Sequence, residues 1–111
     1  RCNDASCSTS QQTSIPQAQT GPLDVAMGAD GNPVIATAID GVGLRVGKCG
    51  NAGCTGSVPF QTLDDFGRLY SKPALAIASD GYPVIAYVAS GGTFDSYRYV
   101  RVAKCRDAQC L

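Results

Sequence analysis

Four residue types are missing or nearly missing from this 111-residue chain, and two of these absences each exclude a class of catalytic site. There is no histidine, no glutamate and no tryptophan, and methionine occurs once, at Met27. Without histidine, neither a Ser-His-Asp nor a Cys-His arrangement can be assembled. Without glutamate, a paired-carboxylate glycosidase would need two aspartates, and the adjacent Asp64 and Asp65 would point to opposite faces of a strand. We therefore expect a protein that is not an enzyme and that uses no cofactor.

The chain also lacks an excess of charge and a long apolar run. Nine Lys and Arg residues balance nine acidic residues, all of them aspartate, so the composition predicts neither nucleic acid nor an anionic membrane as a partner. No apolar segment approaches the roughly 20 residues of a membrane-spanning helix. Strong helix formers are scarce, whereas Gly, Ala, Val, Ser and Thr are common, which is typical of β structure with many turns.

The six cysteines occur as three pairs with the same four-residue spacing. An even number of regularly paired cysteines in a small chain predicts disulfides, and hence secretion to the oxidising cell exterior or cell surface. Another disulfide connectivity stays open, and so does a metal or free-thiol interpretation, which is weaker because zinc sites usually include histidine. Local bridges, which the spacing favours, would join Cys2 to Cys7, Cys49 to Cys54 and Cys105 to Cys110.

One eight-residue stretch occurs twice. Residues 29–36 read Ala-Asp-Gly-Asn-Pro-Val-Ile-Ala, and residues 79–86 match them at six of the eight positions. Asp-Gly is a favoured pair for the positive-φ turn of a two-residue hairpin loop. Each copy therefore predicts a tight β-hairpin.

The flanking residues extend each copy into a larger unit. The alternation at 23–27 predicts a strand with a larger apolar face and a small-residue face, and the apolar run at 33–39 predicts a strand covered on both sides. A third strand precedes each later cysteine pair. An outer strand is predicted within 55–71, and its counterpart at 8–21 is a weak edge strand or a loop, with a low-complexity linker as the alternative. We divide the chain into an N-terminal cysteine pair with an edge segment (1–21), a first repeat (22–54) and a second repeat (55–111).

The tandem Asp-Gly-x-Pro-Val-Ile-Ala units followed by paired cysteines resemble those of bacterial secreted β-propeller-like repeat proteins. This resemblance implies that each unit is a four-stranded antiparallel meander like a propeller blade. The expected fold is therefore all-β, with two such repeats packing on each other and on neighbouring copies. A two-sheet β-sandwich is the alternative.

A blade has two faces and cannot bury either of them alone, so two blades leave two outer faces without a partner. We therefore predict head-to-tail association with copies of the same chain, as an open filament or a closed ring. The segment after the first cysteine pair could complete the outer edge of another copy's blade. The predicted function is that of a structural or adhesive extracellular scaffold.

Glycan binding by an oligomeric β-propeller lectin is the alternative function. Sugars stack on aromatic rings beside hydrogen-bonding groups, and the candidate ligand-binding residues are Tyr82, Phe94, Asp95 and Tyr97. The last three belong to a loop that is longer in the second copy than in the first, where function is commonly located. Against this alternative, the aromatic residues are not repeated, since Asn32 stands where the second copy has Tyr82.

Overall fold

A computed structural model describes residues 1–10, 12, 14–15, 21–39, 43–64, 72–91, 97–108 and 110, with the side chains of residues 90, 91, 97 and 98 left aside. These residues form seven strands and no helix, as expected for the all-β class. The strands are β1 (Leu23–Met27), β2 (Pro33–Ile39), β3 (Gly43–Lys48), β4 (Phe60–Asp64), β5 (Ala74–Ile77), β6 (Pro83–Gly91) and β7 (Tyr97–Lys104).

The strands form two antiparallel sheets. The first sheet has the order β1-β2-β3-β4, and the second has the order β5-β6-β7. The pairing register of β1-β2-β3 matches that of β5-β6-β7. Val34 lies opposite Lys48 in the first sheet, for example, and Val84 lies opposite Lys104 in the second.

Strand β4 belongs to the first sheet, although the sequence analysis grouped it with residues 55–111. It pairs with β3, because the chain turns back after the second disulfide loop. Gly47 leaves the room that the Phe60 ring needs, since a Cβ at this glycine would lie 3.0 Å from the ring. The Arg45 guanidinium donates a hydrogen bond to the Phe60 carbonyl at 3.4 Å and lies over the same ring. These contacts are non-local, so strand periodicity does not reveal them.

Both predicted hairpins are present, but their loops contain three residues instead of two. In the first hairpin, the Gly31 N–H donates to the Gly28 carbonyl, and the Gly28 N–H donates to the Asn32 carbonyl, each at 2.9 Å. The left-handed residue is the glycine alone, with φ of 82° at Gly31 and 83° at Gly81. This is a type I turn followed by a glycine bulge, which gives the twist that hairpin strands need.

The inner faces of the two sheets share one core. The first sheet contributes mainly small and medium apolar side chains from β2 and β3, and the second contributes larger ones from β6. The small-residue face of β1 lies against the second sheet: the Asp24 carboxylate accepts a hydrogen bond from the Leu75 N–H at 2.8 Å. The most buried members of the shared core are Val34, Ala36, Ala38, Leu44, Val46, Ile85, Tyr87 and Ala89.

Candidate functional site

The three local disulfides predicted from the spacing are present, with Cα–Cα distances of 4.8, 4.9 and 4.8 Å. Each loop closes in the same way. The N–H of the second cysteine donates to the carbonyl three residues earlier, at Asp4, Asn51 or Asp107, and the second cysteine has a left-handed φ between 55° and 60°. The disulfides fit an oxidising environment. Within the described part of the chain, no group of three metal-ligating side chains is found.

Of the four residues predicted to bind a ligand, Tyr82 is the one whose side chain lies among the described atoms. Tyr82 follows the second hairpin loop, where the Lys104 ammonium lies 5.6 Å from the centre of its ring. Tyr97 begins β7, but its side chain lies outside the described atoms, as do Phe94 and Asp95 entirely. Glycan binding therefore stays a prediction.

The turn aspartates have a partner that the sequence analysis missed. The Lys48 side chain is only 11% exposed, and its ammonium lies 2.7 Å from the Asp30 carboxylate. Asp80 and Lys104 form the same pair in the second sheet. The sequence signal for this ion pair is the Lys-Cys dipeptide at the end of the third strand in both repeats. The pKa of both aspartates is lowered below its usual value of 3.8. The main cause is the hydrogen bond from the lysine, and the second is a backbone N–H donor.

A polar network joins the two sheets. Asp64, at the end of β4, accepts hydrogen bonds from the Tyr87 hydroxyl and from the Arg101 guanidinium, the latter at 3.0 Å. Arg101 also donates to the Tyr99 hydroxyl. Burial, followed by the hydrogen bond to Asp64, raises the pKa of Tyr87 to about 12. Such a phenol stays protonated at neutral pH and donates its hydrogen bond to Asp64, so the network connects the two sheets.

The outer face of the second sheet is apolar and exposed. Val100 and Val102 are 71% and 66% exposed, respectively, although both lie within a regular strand. Contiguous exposed apolar residues on one sheet face are typical of an interaction surface. The described residues of this face are Ala74, Ala76, Val84, Ala86, Val88, Val100, Val102 and Lys104.

The outer face of the first sheet is the second exposed apolar surface. The sequence analysis predicted that Leu23, Val25 and Met27 share one side of β1, and they do, but that side faces outward with more than half of each side chain exposed. A groove of about 680 Å³ lies beside them. It runs across Pro33 and Ile35 between the N-terminal segment and the second disulfide loop, and Arg1 lines it.

Two polar side chains on this first-sheet surface contain buried atoms without a hydrogen-bond partner among the described residues. They are the Thr37 hydroxyl and the Arg45 Nε. In the strand register, Thr37 and Arg45 correspond to Tyr87 and Arg101 of the second sheet. There the equivalent face packs on the first sheet, and both residues contact the Asp64 carboxylate. Unpartnered buried polar atoms are uncommon in folded proteins.

The exposed surface of the second sheet matches the packed surface of the first. Ala86 and Val102 face outward on the second sheet, and they occupy the register positions of Ala36 and Val46 on the buried inner face of the first. The converse also holds, because the exposed outer face of the first sheet corresponds to the packed inner face of the second. Each exposed face is therefore the register equivalent of a face that is already packed within the chain.

Comparisons with protein-family models, with curated proteins and with solved structures give no match to this chain. Among the residues that the structure describes, no helix has the length and apolar character needed to cross a membrane.

Proposed function

We propose that this protein is a non-enzymatic, extracellular module that associates head to tail with copies of itself and so builds a structural or adhesive scaffold. The outer face of the second sheet in one copy would pack on the outer face of the first sheet in the next. The observation that carries this proposal is the register equivalence between these two exposed faces and the two faces that form the core.

The two surfaces are chemically compatible with such packing. One presents alanine and valine side chains on one sheet face, and the other presents Val25, Met27 and Ile35 beside a groove. Fully burying an aliphatic side chain contributes about 1.5–3 kcal/mol. Association costs about 4–15 kcal/mol in lost freedom, so several side chains must be buried together for the contact to persist.

The proposed contact joins two different surfaces, so each copy can bind one neighbour through each surface. The assembly can therefore grow beyond two subunits. It closes into a ring if the rotation between copies fits, and otherwise it continues as a filament. The disulfides support an extracellular setting, because reducing cytosol would not maintain them.

The proposal is tested by measuring the mass of the protein in solution over a wide concentration range, together with negative-stain electron microscopy. We expect masses above that of the dimer, rising with concentration, and particles of regular width. A monomer at every concentration would refute self-association. Discrete rings that also give a signal on a glycan array would favour the lectin alternative over the scaffold.

A further inference from the structure

Each of the two later disulfides belongs to an apolar cluster on which an aliphatic side chain packs from the segment that follows the preceding disulfide. Leu63 follows Cys49–Cys54 and packs on the core cluster that contains Cys105–Cys110. Ile15 follows Cys2–Cys7 at nearly the same distance and packs on the cluster that contains Cys49–Cys54. The N-terminal segment therefore lies on the first sheet as the β4 segment lies on the second.

The position of Leu63 shows what such a segment can become. It belongs to β4, the fourth strand of the first sheet, and this sheet is stacked on the second sheet. A side chain that packs on the cluster containing the disulfide of one sheet is thus part of the edge strand of the sheet stacked on it. By this equivalence, Ile15 lies where the edge strand of a sheet stacked on the first sheet would run.

The second sheet has only three strands among the described residues, and β7 is at its edge. The Cys105 N–H donates to the Pro83 carbonyl on β6. Because N–H directions alternate along a strand, the N–H groups of Val100, Val102 and Lys104 point away from β6, toward this edge. In the first sheet, the equivalent edge of β3 is paired with β4.

The N-terminal segment cannot fill this edge within its own chain while Ile15 stays packed. Ile15 lies on the outer face of the first sheet, whereas β7 belongs to the sheet on the inner side. Stacked sheets are about 10 Å apart, and paired strands are about 4.8 Å apart. If the N-terminal segment pairs with this edge, it must therefore belong to a second molecule.

We propose that the segment around Ile15 of one copy pairs with the edge of β7 that no described strand occupies in the adjacent copy, and becomes the fourth strand of that copy's second sheet. This proposal rests on the head-to-tail association proposed above, and it names the backbone contact that accompanies the contact between faces. Addition of an extended segment to a sheet edge provides main-chain hydrogen bonds in a fixed register. The described polar residues of this segment suit an edge strand with one face in water.

The proposal is tested by hydrogen exchange on associated and dilute protein. On association, we expect exchange of the Val100, Val102 and Lys104 amides to slow at least tenfold. The Ala103 amide faces β6 and is the internal control. An Ile15→Asp variant should associate less and lose this protection, and a peptide of residues 1–15 with its disulfide intact should shorten the assemblies of the unaltered protein.

The outcomes separate this proposal from the one on which it rests. If the protein associates but the three edge amides exchange as they do in the monomer, strand addition is refuted and face-to-face stacking stands. If the protein does not associate at any concentration, both proposals are refuted. If Ile15→Asp proves unfolded, the exchange of the unaltered protein and the effect of the peptide still decide the question.

Discussion

Replacing Val102 by lysine should abolish head-to-tail association without unfolding the protein. Val102 is 66% exposed, so docking would bury about two thirds of its side chain and contribute roughly 1–2 kcal/mol. A lysine at this position must also be desolvated, at a cost of about 1–3 kcal/mol, and Arg1 lines the opposing groove. The sum of at least about 2 kcal/mol corresponds to a dissociation constant at least about 30-fold higher.

The assay for this variant is sedimentation equilibrium, with thermal unfolding as the check on folding. The matched control is Ser79→Lys, which adds the same charge to the exposed hairpin loop of the same sheet. We expect Val102→Lys to be monomeric where the control associates like the unaltered protein. Equal association of both variants would refute the assignment of this face to the interface.

The remaining predictions concern the stability of the fold. The pKa values of Asp30 and Asp80 are lowered in the folded state, so their contribution to the stability of the fold is present above about pH 4 and is lost as pH falls through the lowered values. Acid titration monitored by circular dichroism should show this loss of stability. Replacing both aspartates by asparagine should make the loss smaller. Tyr87→Phe should lower the free energy of unfolding by about 1–3 kcal/mol at neutral pH, because a hydrogen bond to a charged group is lost. Because the pKa of Tyr87 is raised from 10.0 to about 12, its contribution is complete below pH 10 and declines between pH 10 and 12; an equally steep decline in the phenylalanine variant would contradict this assignment. Removing the buried Cys105–Cys110 disulfide should lower the free energy of unfolding in urea by more than the roughly 2 kcal/mol expected from loop entropy alone. Removing the exposed Cys2–Cys7 disulfide should lower it by no more than that value.

Local pattern was sufficient to predict the strands of the two hairpins. Alternation predicted β1 at Leu23–Met27, and the near-continuous apolar run predicted β2 at Pro33–Ile39, because side-chain period and burial are encoded within a few residues. Cysteine spacing predicted the three disulfides for a similar reason, since each closes a short turn. These features depend on residues that are close in the sequence.

The features that the sequence did not predict depend on non-local contacts. Strand β4 pairs with β3 because the Phe60 ring fits beside Gly47, a contact that no periodicity contains. The outward orientation of Val25 depends on which of two apolar faces the second sheet covers. The ion pair of Lys48 depends on the register between β2 and β3. In each case the sequence limits the choices, and the packing of distant segments selects among them.

The most direct test of the head-to-tail account is a mixing experiment with two variants, each blocked on one surface. Val25→Lys blocks the outer face of the first sheet, and Val102→Lys blocks the outer face of the second. Each variant alone should be monomeric, since one surface of every possible pair is altered. An equimolar mixture should form a one-to-one dimer through the two unaltered surfaces. If the mixture stays monomeric, or if either variant associates alone, the central claim is contradicted.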